Sequence, residues 1–220
     1  NTDIEKQFIK KINKESDIDE TNKYSINANS IWKINSKNEF KFNVNHYLQK
    51  ENGETGLTNT STKINRNNIS INHIYSNQYK WKYNQLINYQ NYSRSYVETR
   101  TNENVADDLS TEDSYEYEFF MNKKNATNEI NLGMELSTIN HQSNRLENEK
   151  YNLNAKSIFA QYSINLLYEF NVILGLRLDK YSNYKIVYSP RIAVMKTLNR
   201  WKFRTSIGKG FRAPSFMEKF

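Results

Sequence analysis

The sequence predicts an all-β protein, an antiparallel up-and-down transmembrane β-barrel wall of about ten strands, and three observations predict it. Apolar and polar residues alternate with period two in segment after segment, which puts one set on each face of a strand. Connections alternate between short and long, the asymmetry expected when the two ends of a barrel face different compartments. Tyr and Trp gather near strand ends, where aromatic girdles flank a lipid-facing band.

Residues 1–21 break the alternation. Ile4, Phe8, Ile9 and Ile12 recur at helix-like spacing among Lys and Glu, so an external loop segment carrying a short amphipathic helix is expected ahead of a partial barrel domain over 22–220. The first strand reads Tyr24, Ile26, Ala28, Trp32 and Ile34 against Lys23, Ser25, Asn27, Asn29 and Lys33; the second reads Phe40, Phe42, Val44 and Leu48 against Lys41, Asn43, Asn45 and Gln49. Then come Ile69, Ile71 and Tyr75; Tyr79, Trp81, Tyr83, Ile87 and Tyr89; Tyr115, Tyr117, Phe119 and Met121; and Ile130, Leu132, Met134 and Leu136. The last four are Ile158 to Tyr168 on even positions, Phe170 to Leu178 on even positions, Ile186 with Tyr188, Ile192 and Val194, and Trp201 with Phe203, Thr205 and Ile207. Each approaches the ~9–11 residues with which a tilted strand crosses a bilayer.

Short turns are expected at Ser36-Lys37-Asn38, Asn77-Gln78, Lys124-Asn125-Ala126, Glu169 and Asn199-Arg200. Longer external loops are expected from Lys50 to Lys63, Thr99 to Asp113 and Asn140 to Asn154, with a shorter one from Tyr181 to Lys185. Tyr24, Tyr75, Tyr79, Trp81, Tyr115, Tyr168 and Trp201 are the girdle candidates, and each ring also suits ordinary cross-strand packing.

Composition excludes several classes. Mean hydropathy of -0.90 and the lack of any apolar run near 20 residues rule out membrane helices, while 14% aromatic residues argue against disorder. With no cysteine there is neither disulfide framework nor thiolate site. The net charge of +7 is spread along strands instead of clustered, so no nucleic-acid partner is expected. His46, His73 and His141 are isolated, the first two on the apolar-parity face, and no catalytic constellation or cofactor is expected. No export signal is seen from Asn1 onward, and any such signal is expected upstream.

Near the C-terminus, Gly208, Gly210, Phe211, Arg212, Ala213, Pro214, Ser215 and Glu218 form a G-x-G-F-R-A-P-S-x-x-E run that resembles the barrel signature of TonB-dependent outer-membrane receptors. Leu174 to Ser182 and Ser189 to Ala193 resemble the two strands before that signature, and Gly133-Met134-Glu135 is similar to a weaker feature of an earlier strand. The recognisable part covers Asn128 to Phe220. The resemblance implies a barrel of about 22 strands with a plugged lumen in a Gram-negative outer membrane. It implies uptake of a scarce ligand of the ferric siderophore, haem or cobalamin class, with outer-membrane lipid, the receptor's own plug domain and a TonB-type energy-transducing protein as partners. The plug and the coupling box are not seen in this sequence, which is expected to be one part of the barrel, and no enzymatic activity is implied. A passive outer-membrane channel or structural barrel is the alternative, and a soluble all-β adhesin a third reading.

Arg177, Asp179, Arg191, Arg204 and Arg212 share the polar parity and are expected to line the lumen. Cross-strand ion pairs are the first expectation for them, contact with a plug or an anionic ligand the second. Gly208 and Gly210 are expected to allow close backbone approach or a bend, and Pro214 to end the ladder. No metal site is expected; Asp107 and Asp108, within an acidic run from Glu98 to Glu118, are a weak calcium candidate beside the reading of a solvated loop.

Overall fold

The computed structural model describes residues 2–10, 20–101, 103–146, 150–166, 169–182 and 185–211, with side chains from residue 20 onward. Eleven described strands form one antiparallel sheet in strict sequence order. They are β1 (Thr2–Lys10), β2 (Glu20–Asn35), β3 (Asn38–Thr55), β4 (Thr58–Ser76), β5 (Trp81–Arg100) and β6 (Glu103–Lys124), followed by β7 (Asn128–Ser143), β8 (Lys150–Leu166), β9 (Phe170–Tyr181), β10 (Val187–Leu198) and β11 (Trp201–Gly208). This is the expected up-and-down meander.

Two expectations change. The amphipathic helix is replaced by β1, whose backbone pairs with β2 from Thr2 opposite Ala28 to Lys10 opposite Glu20. A spacing of four, as between Ile4 and Phe8, fits a strand face as well as a helix face, and the open edge of β2 offers backbone partners that a short isolated helix lacks. The long external loops are largely strand. β5 and β6 run 20 and 22 residues, twice what a bilayer crossing needs, and β3 and β4 stay paired from Asn38 opposite Tyr75 to Thr55 opposite Thr58. Lower apolar content in these stretches marks where a strand leaves lipid, not where its ladder ends.

Asparagine shapes the turns at the other end of the sheet. The Asn35 side-chain oxygen accepts from the backbone N–H groups of Lys37 and Asn38, both at 2.9 Å. Asn77 does the same for Tyr79 and Trp81 at 2.9 and 3.1 Å, fixing a turn in which Lys80 takes φ of 65°.

The register assigns the faces. Leu132, Ala160 and Leu176 form one cross-strand row; Ile130, Tyr162, Leu174 and Ile192 form the next on the same side. The intervening row, Asn131, Gln161, Gly175 and Arg191, lies on the opposite face. Among the described residues no second layer covers the apolar face and Ala193 is the one buried apolar residue, whereas Leu174 and Ile192 are 46% and 50% exposed. A soluble sandwich would bury these side chains, so the apolar face is the one that meets lipid and the polar face lines the barrel interior.

Aromatic belts bound the apolar face. At the short-turn end stand Trp81, with the Lys123 ammonium 5.5 Å from its ring, and Phe170, with the Lys196 ammonium at 4.1 Å. Tyr89 and Tyr115, 5.0 Å apart, form the far belt; from Trp81 to Tyr89 is about 26 Å along β5. Beyond them the same face turns polar, beginning with Asp113, which accepts the Tyr89 hydroxyl at 2.8 Å. Tyr168 lies outside the described residues.

One close approach lies on the polar face. Gly133 faces Phe159 directly, and a Cβ there would sit 2.2 Å from the Phe159 ring, which lies over the glycine and faces Phe120 at 6.2 Å. Gly133→Val is expected to displace that ring and lower the urea midpoint of the refolded barrel, a cost of about 1–3 kcal/mol. Gly210, where an added Cβ meets nothing, is expected to accept alanine with a far smaller loss.

Candidate functional site

Polar residues on the interior face cluster at two levels. The lower level lies at the depth of the lipid-facing band. Arg177 on β9 donates Nη1 to Glu135 Oε1 at 3.0 Å and Nη2 to Oε2 at 2.5 Å, a two-pronged grip across β8, and Nε to Asp179 Oδ1 at 2.8 Å. Ser157 donates to the same Asp179 oxygen at 2.6 Å. Asp179 and Ser157 are each 6% exposed. The guanidinium also lies 5.9 Å from the Phe159 ring. Glu118 stands directly opposite Glu135, so carboxylates outnumber cations here and a charged, bidentate Arg is the side chain that can hold two of them.

Of the residues picked from sequence, the structure thus brings Arg177 and Asp179 together and adds Glu135 and Ser157. Arg191 sits on the same face between Gly175 and Gly208, and a Cβ on Gly208 would lie 3.1 Å from the Pro190 carbonyl oxygen. Arg204 faces the interior on β11, its Nη2 3.9 Å from Met195 Sδ. Phe211 tilts against Tyr181 at 6.0 Å. Arg212, Ala213, Pro214, Ser215 and Glu218 lie outside the described residues.

The upper level lies past the Tyr89–Tyr115 belt. A single row crosses five strand pairs there: Tyr47, Arg66, Tyr92, Glu112, His141 and Tyr151 are successive partners on β3 through β8. The Arg66 guanidinium is 5.8 Å from the Tyr47 ring and 5.4 Å from the Tyr92 ring. His141 Nδ1 is 3.4 Å from Glu112 Oε2. Farther out, Arg94 faces the Tyr96 ring at 5.9 Å. An Arg between two phenols, next to a carboxylate–imidazole pair, presents stacking surface, fixed positive charge and proton donors side by side. Sequence reading missed this row because its members are 10 to 29 residues apart and only the register aligns them.

The calcium candidate dissolves. Asp107 and Asp108 are consecutive strand residues and point to opposite faces. Asp108 is paired with Arg145, whose guanidinium holds the carboxyl below its ordinary value. Among the described residues no group of three or more potential ligands converges to hold a metal ion.

No curated protein matches the chain. Solved structures match its fold. The siderophore receptor PirA from Pseudomonas aeruginosa superposes with a TM-score of 0.75 at 16% identity, covering 90% of this chain and 35% of that one. A ferric enterobactin receptor from the same organism gives 0.75 at 14%, covering 89% and 34%. The copper transporter OprC gives 0.74 at 11%, covering 91% and 38%. This chain thus spans about a third of the length of each. The model of the TonB dependent receptor-like β-barrel matches residues 11–220, nearly the whole sequence and well beyond the part that carries the motif, and the chain belongs to that family.

Proposed function

We propose that this chain is barrel wall of a TonB-dependent importer in a Gram-negative outer membrane, taking up a scarce ligand of the ferric siderophore, haem or cobalamin class. The observation that carries the reading is the Tyr47–Arg66–Tyr92–Glu112–His141–Tyr151 row, which faces the interior just outside the lipid-facing band. A ligand entering from the long-strand end meets it before the Arg177–Glu135–Asp179 level, and its stacked cation suits a planar or anionic ligand better than a water-filled pore requires. In this reading Arg177, Asp179, Arg191, Arg204 and Arg212 form the interior wall against a plug domain, and an inner-membrane partner of the TonB type supplies the energy that moves the plug.

The test is growth of a deletion strain, complemented with the intact gene, on single iron, haem, corrinoid or copper sources. Loss of growth on one source with the gene deleted, and again with energy coupling abolished, supports the importer. Growth indifferent to energy coupling supports the passive channel. On the source so identified, Arg66→Ala is expected to weaken cell-surface binding about tenfold to a hundredfold, the loss that follows from removing a charged contact of about 1.5–3 kcal/mol. Wild-type affinity in that variant would remove the row from ligand capture.

A further inference from the structure

The short-turn end of the sheet carries a charge pattern that import does not use. Cations scattered along the sequence are gathered there by the up-and-down topology. Lys37 lies in the β2–β3 turn, Lys80 in the β4–β5 turn, Lys124 at the start of the β6–β7 turn and Arg200 in the β10–β11 turn, and all four are exposed. Lys82 and Lys202, also exposed, follow two residues after Lys80 and Arg200 and carry the interior parity, opposite Asn122 and Thr197. None of these six is ion-paired with another described residue. The carboxylates nearby are engaged: Glu39 by Lys33 and Lys41 at 3.7 and 3.4 Å, and Glu129, opposite Lys124, by the Asn122 side-chain amide at 2.8 Å. At the far tips the signs mix, with Glu54 and Glu103 alongside Lys50 and Arg100. From the β2–β3 turn to the β10–β11 turn the sheet advances by eight strands, so the cations span an arc of about 38 Å.

A single exposed ion contact is worth little, so one small anion gains little from any of these side chains, whereas a chain of anions engages several at once. Glu169, in the β8–β9 turn, interrupts the arc, which an extended polymer spans and a compact acidic patch does not. Lipid headgroups match less well, because the cations sit in turns or on the interior parity. Lys123 and Lys196, which do lie on the lipid-facing side, are set against the Trp81 and Phe170 rings. We propose that this arc is a docking surface for a carboxylate-bearing polymer of the periplasm, the peptide-cross-linked glycan of the cell wall, held through the free carboxylates of its peptide stems. The surface requires the outer-membrane placement proposed above, with the short turns toward the periplasm, but it does not require ligand import.

The experiment measures co-sedimentation of the whole receptor, purified in neutral detergent, with isolated cell-wall sacculi. Expected is binding that high salt abolishes and that is lost when the sacculus carboxylates are converted to amides. The K37Q/K124Q/R200Q variant is expected to bind about fivefold or more weakly, the loss of three exposed ion contacts of ordinary strength. A K50Q/K63Q/K150Q variant, which removes equal charge at the far end, is expected to bind like the parent. Heat-modifiable migration on gels verifies that each variant is folded. Equal binding of the folded K37Q/K124Q/R200Q variant, equal loss in the far-end variant, binding to amidated sacculi, or binding to phosphatidylglycerol vesicles in place of sacculi would each overturn the proposal. The orientation is tested apart from it: a tag in the Lys37 turn is expected to react with antibody only after the outer membrane is permeabilised.

Discussion

Leu174→Arg is expected to destabilise the inserted barrel by about 2–4 kcal/mol, the cost of an arginine at the lipid-facing midplane of a barrel strand. Leu174 stands midway along β9, opposite Tyr162 and Ile192, in the row over which acyl chains pass. The control is Gln161→Arg. Gln161 pairs with Gly175 one residue along the strands, so its side chain emerges on the other face at nearly the same depth. Its replacement is expected to stay within about 0.5 kcal/mol of the parent. Urea unfolding of the receptor in lipid vesicles, followed by gel mobility, measures both. Equal destabilisation by the two arginines would mean that the face assignment is wrong, and with it the membrane reading.

The second large effect is expected at Arg177. Removing it leaves Asp179 with a single hydroxyl donor from Ser157 and leaves Glu135 facing Glu118 without the cation that grips it. Breaking a fully buried ion pair costs about 3–5 kcal/mol. The side chains of Arg177 and Glu135 are 37% and 32% exposed, so water screens part of the loss and Arg177→Met is expected to cost about 1–3 kcal/mol. Arg177→Lys is expected to recover little, because one ammonium cannot reproduce the two-pronged grip on Glu135 while reaching Asp179. A double-mutant cycle with Glu135→Gln measures the coupling; a coupling near zero would show that the pair contributes nothing net.

The fold was legible where chemistry alternates. Phe170 to Leu178 could be assigned as a strand, and its lipid side named, because lipid selects every second residue. The stretches beyond lipid were not legible in the same way. From Thr99 to Asp113 both faces meet water, alternation disappears, and acidic residues suggest a loop, yet Thr111 and Ser93 are strand partners. Hydrogen bonding between backbones sustains a ladder with no help from apolar side chains, and it leaves no trace in composition. The helix expected at the start failed for a related reason, since strand and helix share a spacing of four residues. The candidate site follows the same division. Arg177 and Asp179 lie two apart on one strand and could be paired by parity, whereas Glu135 lies two strands away and Arg66 meets Tyr47 and Tyr92 only through register. Sequence gives faces well; it gives neighbours across strands poorly.

The far hairpins, paired out to Thr55 with Thr58 and Arg100 with Glu103, have an immunological consequence. If this end is exposed on the cell, as the importer reading requires, an antibody meets side chains drawn from adjacent strands held at fixed spacing. Sera raised against linear peptides from 90–114 should recognise the denatured chain and bind intact cells poorly, whereas sera raised against whole cells should lose their target on boiling.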